Sequence, residues 1–169
     1  MTNFHLKSKG FTLVELIIVI AIIAILAAAI FVAIDPARRL HEARNARRSS
    51  DVATILDAVK MYQVDNNGEH YVKIENAQED QYYIIGEEAL MCESSCTAIG
   101  DAAIACIDIR DMGSNYLDTV PMDPKIGTSE RTWYYLMKGS NGVITVGACE
   151  PEGEGPGGDG AVPEIKVTR

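Results

Sequence analysis

Residues 11–34, FTLVELIIVIAIIAILAAAIFVAI, constrain the rest of this chain: 22 of these 24 residues are apolar, and Thr12 and Glu15 are the exceptions. As a helix, a run of this length reaches roughly 36 Å, enough to cross a hydrocarbon layer of about 30 Å. A helix apolar on every side is buried on every side, in lipid or among other helices. Ala21, Ala24, Ala27, Ala28, Ala29 and Ala33 stand among the Ile and Leu residues. Such small side chains let helices approach closely. The one carboxylate, Glu15, lies a turn inside the run, and a carboxylate there needs a partner.

The run is preceded by Lys7, Lys9 and Gly10. Lys9-Gly10-Phe11-Thr12-Leu13-Val14-Glu15 followed by an apolar helix resembles the leader and N-terminal helix of type IV pilins and their relatives, the secretion pseudopilins and competence pilins. The resemblance is specific over residues 7–35 and weaker to residue 66. It implies a leader over residues 1–10, cut by a prepilin peptidase between Gly10 and Phe11, with N-methylation of Phe11. Glu15, fifth in the processed chain, is then the assembly residue. Cleavage would place an amino group on Phe11, and positions i and i+4 share a helix face. Glu15 could therefore pair with its own amine or with a neighbour's, and the resemblance implies the neighbour.

The function so implied is structural. The partners would be other copies of the chain in a filament, the prepilin peptidase, the pilus or secretion machinery of the inner membrane, and lipid before assembly. The expected location is a single-pass anchor in the cytoplasmic membrane, N-terminus inside, and then the cell surface. A type II secretion pseudopilin, a minor pilin and an anchored binding domain that never polymerises are the alternatives. A secretory signal over residues 11–26 with cleavage at Ala27-Ala28-Ala29 is another reading. Glu15 and the continuation of the run to Ile34 argue against it.

The net charge of −9 is unevenly spread. Residues 1–48 hold seven Lys or Arg against Glu15, Asp35 and Glu42, which is +4 and leaves −13 for the remainder. An acidic globular part argues against nucleic acid as its main partner. Two Lys precede the apolar run and five Arg (Arg38, Arg39, Arg44, Arg47, Arg48) follow it. The positive-inside count thus places the C-terminal side in the cytoplasm. The leader motif and the cysteines point the other way, and we follow them.

Cys92, Cys96, Cys106 and Cys149 all lie in the acidic part, an even number that suggests two disulfides outside the cytoplasm. Four cysteines allow three pairings. Cys96 with Cys106 and Cys92 with Cys149 is preferred, because it closes a local loop. The spacing does not fit zinc, and His5, His41 and His70 are scattered. No nucleophile elbow, phosphate-binding glycine loop or metal-ligand set appears, so we expect no enzyme activity, cofactor or metal.

The expected fold is α+β: the long apolar helix (11–34), an amphipathic helix (35–66), a globular domain with a small antiparallel sheet (67–149) and an acidic Gly/Pro-rich tail (150–169). Asp35-Pro36 reads as an N-cap and first helical residue. Val52, Ile55, Leu56, Val59, Tyr62 and Val64 recur at helical spacing and form the core face. Arg38 to Arg48 read as exposed in the monomer or in contact with neighbouring subunits. Residues 71–74 and 81–85 read as short strands, and 86–112 as loop with a short helix at 108–112. Pro121, Asp123 and Pro124 form a rigid turn before the sheet. A Pro-x-Asp-Pro element at this place is a second, weaker resemblance to pseudopilins and simple pilins. Residues 131–138 and 143–149, joined by Gly139-Ser140-Asn141-Gly142, form a hairpin. The tail reads as flexible, with residues 164–168 available as an edge strand. Its acids do not follow the order of an EF-hand loop.

Overall fold

A computed structural model describes residues 10–87 and 95–169 and divides at residue 36 into two compact units. The first contains helix α1, Leu13–Ile34, in which no residue is buried. It is long and apolar enough to cross a membrane. Asp35 ends it in a left-handed conformation (φ 46°, ψ 73°), so this residue is the C-cap of α1 rather than the extended N-cap expected of it. Pro36 opens α2, Pro36–Asp65.

The second unit is a helix on a sheet. Its strands are β1 (Tyr82–Ile85), β2 (Ala103–Ile107), β3 (Tyr134–Lys138), β4 (Ile144–Ala148) and β5 (Lys166–Thr168), in the spatial order β2-β1-β3-β4-β5. The fold is α+β, as expected. The hairpin β3–β4 and the edge strand β5 are antiparallel, and β2 runs parallel to β1. Alternation along the strands sorts side chains to two faces. Tyr83, Ile85, Tyr134, Leu136, Ile144, Val146 and Ala148 join one core with Val52, Ile55, Leu56 and Val59 of α2. Ile84, Tyr135, Cys96, Cys149 and Ala103 form a smaller cluster. The core line of α2 stops at Tyr62, since Val64 is 78% exposed.

Three further expectations need correction. Residues 72–75 form a one-turn helix, α3, that points Ile74 into the core. The stretch read as loop contains β2, although the short helix expected near 108–112 is present as a 3₁₀ turn at Arg110–Met112. A disulfide joins Cys96 to Cys149, which overturns both expected bridges, Cys96–Cys106 and Cys92–Cys149. Two strands separate β2 from β4, which sets them roughly 14 Å apart, beyond the reach of one cystine. The Cys96 segment docks on the end of β4, where the Ala98 amide donates to the Cys149 carbonyl (3.0 Å). Bonded to Cys149, Cys96 has no sulfur left for Cys106 in β2. Cys106 is itself disulfide-bonded, and Cys92 lies outside the described residues.

Gly147 faces Tyr135 across the β3–β4 pair, and a Cβ there would collide with the tyrosine ring. That ring is buried and packs edge-on against Tyr82 at 5.5 Å. Gly147→Ala should therefore destabilise the unit by about 1–3 kcal/mol, the usual range for overpacking. The shift of the denaturation midpoint of the detergent-solubilised chain checks this, with Tyr135→Leu as the relieving second change.

Candidate functional site

The N-terminal site is built by helix capping. Thr12 has extended backbone (φ −81°, ψ 153°), and its Oγ1 accepts from the Glu15 amide at 3.2 Å. In return Glu15 Oε2 accepts from the Thr12 amide at 2.8 Å and from Thr12 Oγ1 at 2.9 Å. This is a reciprocal capping box, and Thr-x-x-Glu before an apolar run is its sequence signature. It is the feature that reading Glu15 as an isolated acid overlooks. Two consequences follow. Glu15 has a partner within its own chain. The peptide bond between Gly10 and Phe11 lies ahead of the helix, in exposed chain, and among the described residues nothing comes within 4 Å of where a Gly10 side chain would begin. Phe11 is 91% exposed.

Residues 5–31 match the family described as the Prokaryotic N-terminal methylation motif. The chain carries a prepilin-like N-terminus. Over 64 residues it is 51% identical to the type IV wide pilus major component PilA4 of Thermus thermophilus, an alignment covering 36% of this chain and 45% of that relative. The match therefore spans less than half the length of the curated relative. No solved structure matches the chain. In the prepilin-like segment Gly10, Phe11, Thr12 and Glu15 lie together at the start of α1.

The globular unit holds a second site that sequence reasoning missed in part. Arg48 is fully buried. Its guanidinium donates to Asp123 twice (Nε to Oδ2 2.7 Å, Nη2 to Oδ1 3.1 Å) and to Glu152 Oε2 (Nη1, 3.0 Å). Arg44 and Lys125 donate to Glu152 Oε1 at 2.9 and 2.8 Å. Asn45 bridges the same groups. It accepts from Arg48 and from the Glu152 amide, and donates to the Glu152 carbonyl and to Glu154. His41 Nδ1 donates to the Gly153 carbonyl at 2.9 Å. Two expectations fail here for one reason. The arginine-rich start of α2 is not all exposed, and the Gly/Pro-rich tail is not free. The ion cluster ties each to the other.

The turn element takes on a larger role in this cluster. Asp123, between Pro121 and Pro124, is 4% exposed. Besides Arg48 it accepts from the Lys125 and Ile126 amides at 2.8 and 3.2 Å. The prolines fix the turn, and the aspartate fastens it to α2.

Burial opposes ionisation of Glu152, but hydrogen bonds from Lys125 and Arg48 outweigh it and hold the carboxyl at about 2. A carboxylate depressed in the folded state stabilises above its unfolded value of about 4.3 and loses that contribution as pH falls through the folded value. The melting temperature should therefore be level between pH 7 and 5 with respect to this group and fall below. In Glu152→Gln it should start lower and show a shallower acid limb. Thermal melts of both proteins across this range check the sign.

Proposed function

We propose that this chain is a structural subunit of a type IV pilus-like filament. A prepilin peptidase cuts it between Gly10 and Phe11, Phe11 is N-methylated, and the inner-membrane assembly machinery draws α1 from lipid into a filament core. Before assembly the chain is a single-pass anchor with its N-terminus inside; afterwards it is at the cell surface. The observation that carries this reading is α1 itself: an apolar helix without a buried residue, behind a methylation motif and an exposed Gly10–Phe11 bond. Such a surface requires lipid or other helices around it, and exchanging the first for the second is what assembly does. The pilus relative is a major component of its filament, which supports the same role here.

Intact mass and N-terminal sequencing of the protein from sheared surface material and from membranes test the proposal. A start at Phe11 carrying one added methyl, in sheared filaments, is the expected result. A start at Met1 or Thr2, confined to membranes, would replace it with the anchored domain. A start near Ile30 would make it a secreted protein.

A further inference from the structure

The Cys96–Cys149 bridge is closed to solvent, although a cavity reaches the chain beside it. Both half-cystines are 0% exposed and pack with Ile84, Ala103 and Tyr135, and Ile99 lies against the same cluster. A cavity of about 470 Å³ is lined in part by Thr97, Ala98, Cys149 and Glu150. Residues 96–101 form a turn braced within itself. The Ile99 and Asp101 amides both donate to the Cys96 carbonyl at 3.1 Å, and the Asp101 carboxylate accepts from the Cys96 amide at 2.6 Å. Ahead of the turn, Arg131 donates to the Ser95 carbonyl and hydroxyl and stacks on Trp133 at 3.7 Å. The other end is held by the residue that follows the second half-cystine. Glu150 Oε1 accepts from the Thr97 amide at 3.1 Å and from the Thr97 hydroxyl at 2.5 Å. Thr97 and Ala98 are exposed, and of this exposed end only the Ala98 amide reaches the Cys149 carbonyl as well, among the hydrogen bonds described.

We propose that Glu150 is a latch: its hold on Thr97 keeps residues 97–101 closed over the Cys96–Cys149 bridge, so that thiols reduce the bridge only after this segment lifts. Thiol–disulfide exchange proceeds by attack of a thiolate on a disulfide sulfur, and access governs its rate. With the segment closed, neither sulfur offers an approach. Lifting it removes Ile99 from the cluster that covers them. A dithiol then reacts in two steps. Its first thiolate attacks one sulfur, the S–S bond breaks, and the other sulfur leaves as a thiolate and takes a proton. Its second thiolate displaces the attacked cysteine, which also takes a proton. The bridge is reduced to two thiols and the reagent is oxidised to a cyclic disulfide. A short exposed segment with few hydrogen bonds to the rest of the unit is the kind that opens locally, below the cost of global unfolding. The latch serves a filament subunit and an anchored domain alike, so it stands apart from the filament reading.

Full-length protein in detergent supplies the test. It is treated with dithiothreitol, quenched by alkylation and mapped at Cys96 and Cys149. The folded parent should lose the bridge at least about a hundredfold more slowly than the chain in concentrated guanidinium chloride, because the bridge is covered. Glu150→Ala should lose it at least about fivefold faster than the parent, the weight of a hydrogen bond or two. Glu150→Gln keeps an acceptor oxygen and should stay within about twofold of the parent. Thr97→Val removes the hydroxyl and should speed reduction at least about twofold, yet add less than about twofold to Glu150→Ala, since both remove one contact. A local opening exposes little surface, so the rate in Glu150→Ala should be flat at low denaturant. Equal rates for folded and denatured parent, an unchanged rate in Glu150→Ala, or a Glu150→Gln rate equal to that of Glu150→Ala overturns the latch. So does a rate that climbs steeply from zero denaturant, which marks global unfolding. If Glu150→Ala does not fold, Thr97→Val decides, and a parent-like rate there overturns the proposal.

Discussion

Glu15→Ala should insert into the membrane at least as well as the parent and yield at least about tenfold less filament, a loss of no less than 1.4 kcal/mol per subunit added. Insertion improves because an acid inside an apolar span opposes it. Assembly suffers because the carboxylate is the one charged group in α1. Two roles compete for that carboxylate: it completes the capping box with Thr12, and the proposed cleavage would give it an amine on Phe11 to pair with. Glu15→Gln separates them. A glutamine keeps the cap, since Gln serves at this position of a capping box, but it removes the charge. If pairing is the role, Gln fails as Ala does. If capping is the role, Gln restores the yield. Membrane fractionation and sheared-filament yield, measured on the same cultures, read both effects. Full filament yield from Glu15→Ala would remove Glu15 from assembly.

Arg48→Ala should destabilise the globular unit by about 3–5 kcal/mol, the range for removing one partner of a buried ion pair. This is a large part of the 5–15 kcal/mol that ordinarily holds a domain together. Burial works against the Arg48 charge, but the Asp123 and Glu152 hydrogen bonds more than offset it. Without the guanidinium, two carboxylates remain in poorly solvated positions, and Glu152 keeps Lys125, Arg44 and, at 3.5 Å, the His41 ring. The instructive comparison is Arg48→Met with Asp123→Asn and Glu152→Gln. It removes the stranded charges together and should lose less than Arg48→Ala alone. Denaturant titration of the detergent-solubilised proteins measures both. Equal midpoints for the parent and Arg48→Ala would show that the cluster contributes nothing to stability.

What the sequence disclosed was local in origin. The apolar run, the Val52–Val59 face of α2 and the β3–β4 hairpin each state their structure in neighbouring residues, through period or turn chemistry. β2 does not. Ala103-Ile104-Ala105-Cys106-Ile107 is short and rich in alanine, and it becomes a strand by pairing with β1. Residues 72–75, β-branched enough to suggest a strand, wind into one helical turn, with Ile74 buried in the core. Propensity is overridden there by packing. The burial of Arg48 was unreadable for a plainer reason. Five arginines follow the apolar run, and what singles out Arg48 is a pair of acids 75 and 104 residues later. Part of the N-terminal site was written in the sequence all the same, since Thr12 stands three residues before Glu15.

Arg48 belongs to the first third of the chain, and its second carboxylate to the last tenth. The cluster therefore closes only once the chain as far as Glu152 is present. A chain cut short before Glu152 keeps the helix, the turn and Asp123, but holds Arg48 with one acid and leaves Arg44 and Lys125 facing a vacant place. The acid that arrives last thus acts as a lock: the unit reaches its full stability only in molecules whose chain extends past Glu152.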